Sequence, residues 1–263
     1  MPEYHYAGPD GGGISGLPPG AGAALGSEYC VHLLPGADGI RKACAAARER
    51  NAPLILLTPY FRDAELKRTV SLFRAIPADA DVVIAVNDWG ALFALRGLFP
   101  GLRLTVGRLL SGQKKCPRIK GSPHLTETGR SWHGEGIFAS RRAREYLRDA
   151  FGVRGYHADL LPWGRPPYEQ APDGDEHLSL YVHGPYALVT VSDSCPWIGG
   201  RSSAAVSSCT RPCLSGCLAL REPSMGERMI QRGKARFLAI SAPACRETGL
   251  PPRVSPVLYG EPP

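Results

Sequence analysis

No stretch of this chain approaches the ~18 continuous apolar residues that a membrane-spanning helix needs, so no transmembrane span is expected. A basic start followed by an apolar core is also missing from the N-terminus, and no secretory signal is expected. Together these absences predict a cytoplasmic protein in a reducing compartment, where thiols stay free rather than pairing as disulfides. There is no Gly-x-Ser-x-Gly elbow and no His-Glu-x-x-His helix, which removes two common hydrolase designs. No internal repeat is found. Long Lys/Arg runs are lacking as well. The net charge of +7 and pI near 9.1 come with abundant Ala, Gly and Pro, and arginine far outnumbers lysine. That pattern reads as compositional bias better than as a nucleic-acid-binding stripe, although a nucleic-acid partner stays open. The densest patch, Arg141-Arg142-Ala143-Arg144, falls on an expected solvated helix face.

Cysteine, by contrast, is concentrated. Four of the 8 cysteines, Cys195, Cys209, Cys213 and Cys217, sit within 23 consecutive residues. In a reducing compartment such a cluster points to a metal or iron–sulfur site. A 4Fe-4S cluster needs four soft thiolates converging on one pocket. Cys209 and Cys213, four apart, can face the same side of a turn, and Cys195 lies 14 residues before Cys209 across a Gly/Ser loop that can fold back. The fourth ligand is then Cys217 nearby or Cys30 far away. Zinc would accept the same residues in tetrahedral geometry, and spacing does not separate the two. Cys44 falls instead on the apolar stripe Ile40, Ala43, Cys44, Ala47 of an expected helix and reads as core.

The rest of the chain alternates short apolar runs with helical patterns. Leu54 to Thr58, Asp81 to Val86, Leu102 to Val106 and Gly155 to Leu161 read as buried strands, and Glu28 to Leu34 as an earlier one. This order predicts βα units around a parallel sheet, either doubly wound or closed. Polar or aromatic residues recur at strand C-terminal ends, namely Tyr60, Asn87, Asp88 and Arg108. They favour an α/β barrel of the (β/α) TIM type, whether complete, incomplete or distorted, because barrels place their sites on that face. Residues 1–26 are expected to form a flexible Gly/Pro-rich leader, and residues 27–260 a single barrel-like domain carrying the cysteine segment 195–217. Residues 111–136 read as a long loop, residues 163–177 as a Pro-rich linker, and Val257 to Tyr259 as a late short strand. Candidate catalytic residues are His183, as a proton donor, with Asp88 and Arg108. Arg108, Lys115 and Arg118 are candidates for holding a small anionic substrate.

The run Tyr181-Val182-His183-Gly184, followed eleven residues later by Cys195, resembles the signature of the collagenase-like peptidase family, family U-thirty-two. Val86-Asn87-Asp88-Trp89-Gly90 and Gly107-Arg108-Leu109-Leu110 resemble that family's strand ends. The resemblance runs from about Gly26 to about Tyr259. It implies a barrel bearing a four-cysteine 4Fe-4S cluster and a part in oxygen-independent hydroxylation of a small molecule or an RNA base, despite the family name. It also implies a possible heterodimer with a related family member. The cysteine pattern is closest to a ubiquinone-biosynthesis branch, which lacks a cysteine after the His-Gly pair and takes one from a Leu-Gly-x-x-x-Cys context. Leu25-Gly26-Ser27-Glu28-Tyr29-Cys30 matches that context. Carried over, the ligands are Cys30, Cys195, Cys209 and Cys213, with Cys217 as the alternative fourth.

Overall fold

The computed structural model describes residues 2–163, 166–170, 178–202, 205–221, 228–240 and 254–259. Seven strands run parallel: β1 (Tyr4–Tyr6), β2 (Gly22–Gly26), β3 (Leu54–Leu57), β4 (Val82–Val86), β5 (Arg103–Val106), β6 (Gly155–Asp159) and β7 (Ser179–Gly184). The chain then leaves the ring to form β8 (Tyr186–Val191), β9 (Leu218–Leu220), β10 (Met229–Arg232) and β11 (Ala235–Ala239). These four make a separate antiparallel sheet in the order β8-β11-β10-β9. Strand β12 (Val254–Leu258) returns between β7 and β1 and closes an eight-stranded barrel. The closed α/β barrel is therefore established by strand pairing, and a doubly wound sheet is ruled out.

Strand alternation sorts the apolar residues onto two faces. Ala24, Ile55, Leu57, Val83, Ala85, Tyr181 and Val257 fill the barrel interior. Their neighbours Ala23, Leu25, Leu54, Leu56, Val82, Ile84 and Val86 face outward. The outer face is covered by helices. Helix α1 (Ala37–Glu49) buries Ile40, Ala43, Cys44 and Ala47, as its spacing predicted. Helix α2 (Asp63–Thr69) follows β3, and α3 (Trp89–Leu98) follows β4 and buries Ala91, Leu92 and Leu95. Helix α4 (Glu127–Gly134) lies within the long β5–β6 connection, α5 (Arg141–Phe151) buries Leu147 and Phe151, and α6 (Pro167–Gln170) is one short turn. A third cluster, including Tyr29, Leu33, Leu188, Cys213, Ile230 and Phe237, joins the antiparallel sheet to the loop after β2.

Three expectations are corrected. Residues 1–26 are not a flexible leader. Tyr4 pairs with Val257 on one side and Gly22 on the other, and all five residues of β2 are buried. Glu28 to Leu34 is not a strand, because β2 ends at Gly26. There φ is +92°, and a Cβ would lie 2.3 Å from the Leu57 carbonyl oxygen. The chain then turns: Ser27 Oγ accepts from the backbone N–H groups of Tyr29 and Cys30, each at 3.3 Å. A 3-10 turn, Val31–Leu33, follows. Residues 111–136 hold a 3-10 turn at Pro117–Ile119 and helix α4, whose N-cap Thr126 Oγ1 accepts from Gly129 N–H at 3.1 Å. Most of the 163–177 linker and the tail after Tyr259 lie outside the described residues.

Candidate functional site

Polar residues meet where the barrel strands end. Glu28 follows β2, Asn87 follows β4, Arg108 follows β5, Asp159 ends β6 and Tyr259 follows β12. Arg108 is 1 % exposed. A guanidinium has five N–H donors, and here every one is used. Nε donates to Glu28 Oε2 at 2.7 Å, Nη1 to Asp159 Oδ1 at 2.8 Å and to the Tyr186 carbonyl at 2.9 Å. Nη2 donates to Glu28 Oε2 and, at 3.3 Å, to the Tyr259 hydroxyl. Lys115 reaches into the same core, donating to the Arg108 carbonyl at 2.8 Å and pairing with Asp159 Oδ2. Two cations thus face two carboxylates in a buried, electrically balanced quartet. Burial opposes the charge on Arg108, but Glu28, Tyr259 and Asp159 together hold its pKa well above the usual value. For Lys115, burial outweighs Asp159 and its pKa falls.

This corrects the reading of Arg108 and Lys115 as an anion-binding pair. Neither is a solvated loop cation, and Arg108 has no N–H left for a substrate. Arg118 is exposed on the turn at Pro117–Ile119, away from this quartet. Asp88 is also accounted for: its Oδ1 accepts from Ala91 N–H at 2.8 Å and caps α3.

Beneath the quartet runs a chain of hydrogen bonds whose direction can be derived. Thr105 Oγ1 donates to the Ile84 carbonyl at 3.0 Å, so it must accept from His157 Nε2–H, also at 3.0 Å. Burial, then the Arg108 charge, pushes the His157 pKa down to about 3, so the ring is neutral and its Nδ1 is an acceptor. His183 Nε2–H therefore donates to it at 2.8 Å. His183 is pushed well below its usual pKa by burial, by Arg108 and by His157. Its Nδ1 accepts from the Tyr259 hydroxyl at 2.7 Å. The one N–H of His183 is thus pointed at His157, and the proposed role as a proton donor to substrate has no hydrogen to use.

The described cysteines divide into two groups. Cys213 is buried, and its thiol is pushed up to about 11, first by burial and then by the nearby sulfurs of Cys30, Cys195 and Cys209. Cys30 is raised by burial, with Cys209 and Cys195 adding to it and the Lys234 ammonium opposing. So Cys30, Cys195, Cys209 and Cys213 lie within range of one another's charge, although Cys30 is far from the others in sequence. Cys217 is exposed, Cys44 belongs to α1, and Cys116 precedes the turn at Pro117–Ile119. Local backbone shapes the group. Cys213 sits in a 3-10 turn, Pro212–Ser215, that begins from Arg211 in the left-handed region, φ +60°. Arg211 N–H donates to Cys209 Sγ at 3.3 Å.

Among the described residues, no group of three or more His, Cys, Asp or Glu side chains is placed to hold a metal ion. Tetrahedral zinc with Zn–S near 2.3 Å would draw its sulfurs to about 3.8 Å from each other. A cuboid cluster binds each thiolate at a different corner and tolerates a wider ring of sulfurs. Four thiols are a donor set that zinc and an iron–sulfur cluster both take.

No known protein-family profile and no curated protein matches this chain. Among solved structures it is similar to one described as the U32 peptidase Mk0906. The match covers 100% of this chain and 95% of that one, at 12% identity and a TM-score of 0.47. So distant a likeness carries no argument about chemistry, and the barrel stands on its own strand pairing.

The sequence reading missed Glu28, Asp159, His157 and Tyr259. Glu28 sat inside an expected strand. Asp159 and His157 sat in a correctly expected one, where inward-facing polar residues were the available signal.

Proposed function

We propose that this chain is a 4Fe-4S protein whose cluster is held by Cys30, Cys195, Cys209 and Cys213, and that it has a redox role. What supports this reading is that Cys195 and Cys209 lie within charge range of both Cys30 and Cys213, thiols from separate segments, while Cys217 is exposed. When bound, such a cluster supplies one-electron transfer. The chain's own residues bind and shield it: Tyr29, Leu33 and Phe237 exclude water around Cys213, and Arg211 N–H faces Cys209. Oxygen-independent hydroxylation is the reaction class we infer, because Leu25 to Cys30 and Tyr181 to Cys195 resemble the ubiquinone-biosynthesis pattern. A heterodimer with a related chain belongs to the same reading. A thiol peptidase is disfavoured on physical grounds. At Cys30 and Cys213 the shift runs against a nucleophile, which needs a lowered pKa, since both are raised, and both core histidines are committed to the chain of hydrogen bonds below Arg108.

The test is anaerobic purification or reconstitution, with iron, sulfide and zinc counted per chain. We expect visible absorption and about four irons with matching sulfide. Cys30→Ala, Cys195→Ala, Cys209→Ala and Cys213→Ala should each lose most of it, and Cys217→Ala should not. A colourless protein holding one zinc, or full loading of Cys30→Ala, would overturn the assignment.

A further inference from the structure

The chain has six lysines against 25 arginines, and two of the six are buried, although lysine is among the residues least often taken out of water. Lys115 answers Asp159 in the barrel mouth. Lys234, 3 % exposed, sits in the two-residue turn between β10 and β11, where Arg232 pairs with Ala235. That turn is fixed against the thiols. Arg232 Nε donates to the Cys213 carbonyl at 3.1 Å and Nη2 to the Leu214 carbonyl at 3.2 Å. Ser192 N–H donates to the Lys234 carbonyl at 2.8 Å. Gly233 has φ +55°, and a Cβ there would come within 2.9 Å of the Tyr29 ring and 3.6 Å of Cys213 Sγ. The backbone of the turn therefore lies directly over a sulfur. The Lys234 ammonium is 5.3 Å from the centre of the Tyr60 ring, on the loop after β3, and its charge opposes the rise in the Cys30 pKa.

We propose that the turn Arg232-Gly233-Lys234 is the inner wall of the thiolate centre, and that the Lys234 ammonium is a positioning charge that sets its reduction potential. The inference rests on the cluster reading above. A cluster on four thiolates is anionic and grows more so on accepting an electron. A cation held in a dry wall beside it favours the reduced form, since the attraction is little screened there. Lysine suits the role as a compact point charge on a flexible stem.

Potentiometric titration of the anaerobic, loaded protein tests this. Lys234→Met should shift the one-electron equilibrium about tenfold toward the oxidised form, a fall of about 59 mV in midpoint. Lys234→Arg, which keeps the charge, should stay at the wild-type value, as should Lys67→Met on exposed α2. A midpoint in Lys234→Met equal to wild type, or an equal fall in Lys67→Met, overturns the proposal. If Lys234→Met does not retain iron, uptake is compared in Lys234→Gln and Lys234→Arg. Loading in Arg alone supports the counter-charge, and loading in both at one midpoint, or in neither, overturns it. A wild-type chain that takes up no iron and sulfide removes the cluster reading and this one together. A loaded wild type whose potential ignores Lys234 removes this one alone.

Discussion

Replacing Arg108 with Met would strip the charge from a site where Glu28 and Asp159 are both buried. Breaking one side of a buried ion pair costs about 3–5 kcal/mol, and urea unfolding should show a loss of that size. Arg108→Lys should recover only part of it, because an ammonium cannot replace five hydrogen bonds fanned over four acceptor atoms. The histidines predict a pH dependence. His157 has a folded pKa of about 3 and an unfolded value near 6.5, and His183 is shifted the same way. Below pH 6.5 the unfolded chain takes up protons that the folded one refuses, so stability is complete above 6.5 and falls as pH drops toward 3. Each histidine contributes a slope of about 1.4 kcal/mol per pH unit. A melting temperature flat between pH 6.5 and 4.5 would refute this. At this scale the sequence showed that Arg108 stands at a strand end, but not that its charge is spent. Glu28 lies 80 residues away and Asp159 51, and no local pattern announces such a pair.

Elements were legible in proportion to their length and apolar content. Strands β3 and β4 carry four and five buried residues in a row, and α1 places its apolar residues on one stripe. Both patterns survive in sequence because burial on a fixed period demands them. Strands β1 and β2 did not show. One is three residues long, and the other, Gly-Ala-Ala-Leu-Gly, is mostly backbone. Its hydrogen bonds, rather than its side chains, place it in the ring. The end of β2 can be tested directly. Gly26→Ala puts a side chain into left-handed backbone and against the Leu57 carbonyl. Left-handed strain alone costs about 1–3 kcal/mol, and because Cys30 follows four residues on, iron loading should fall along with the unfolding midpoint. Unchanged unfolding and unchanged loading would show that this turn does not position the thiol.

Across the whole molecule, the thiols come from two structures: Cys30 from the barrel, and Cys195, Cys209 and Cys213 from the segment bordering the antiparallel sheet. A cluster held by all four would staple the sheet to the barrel. Loaded protein should resist limited proteolysis near 195–221, and chelated protein should be cut there several times faster. Equal cutting in both states would mean the sheet is held by its apolar contacts alone. Deleting residues 2–21 should abolish cooperative unfolding, since it exposes the edges of β2 and β12. A truncated chain that still melts in one sharp transition would reassign β1 as dispensable. The same closure bears on how the protein is made. The last strand of the ring ends at Leu258 and its partner begins at Tyr4, so residues 4 to 258 must all leave the ribosome before the circle can shut. During elongation the nascent chain carries open edges for longer than a protein of local contacts would. Its yield in cells should therefore depend on chaperone supply and on the pace of translation more than on the stability of the finished fold.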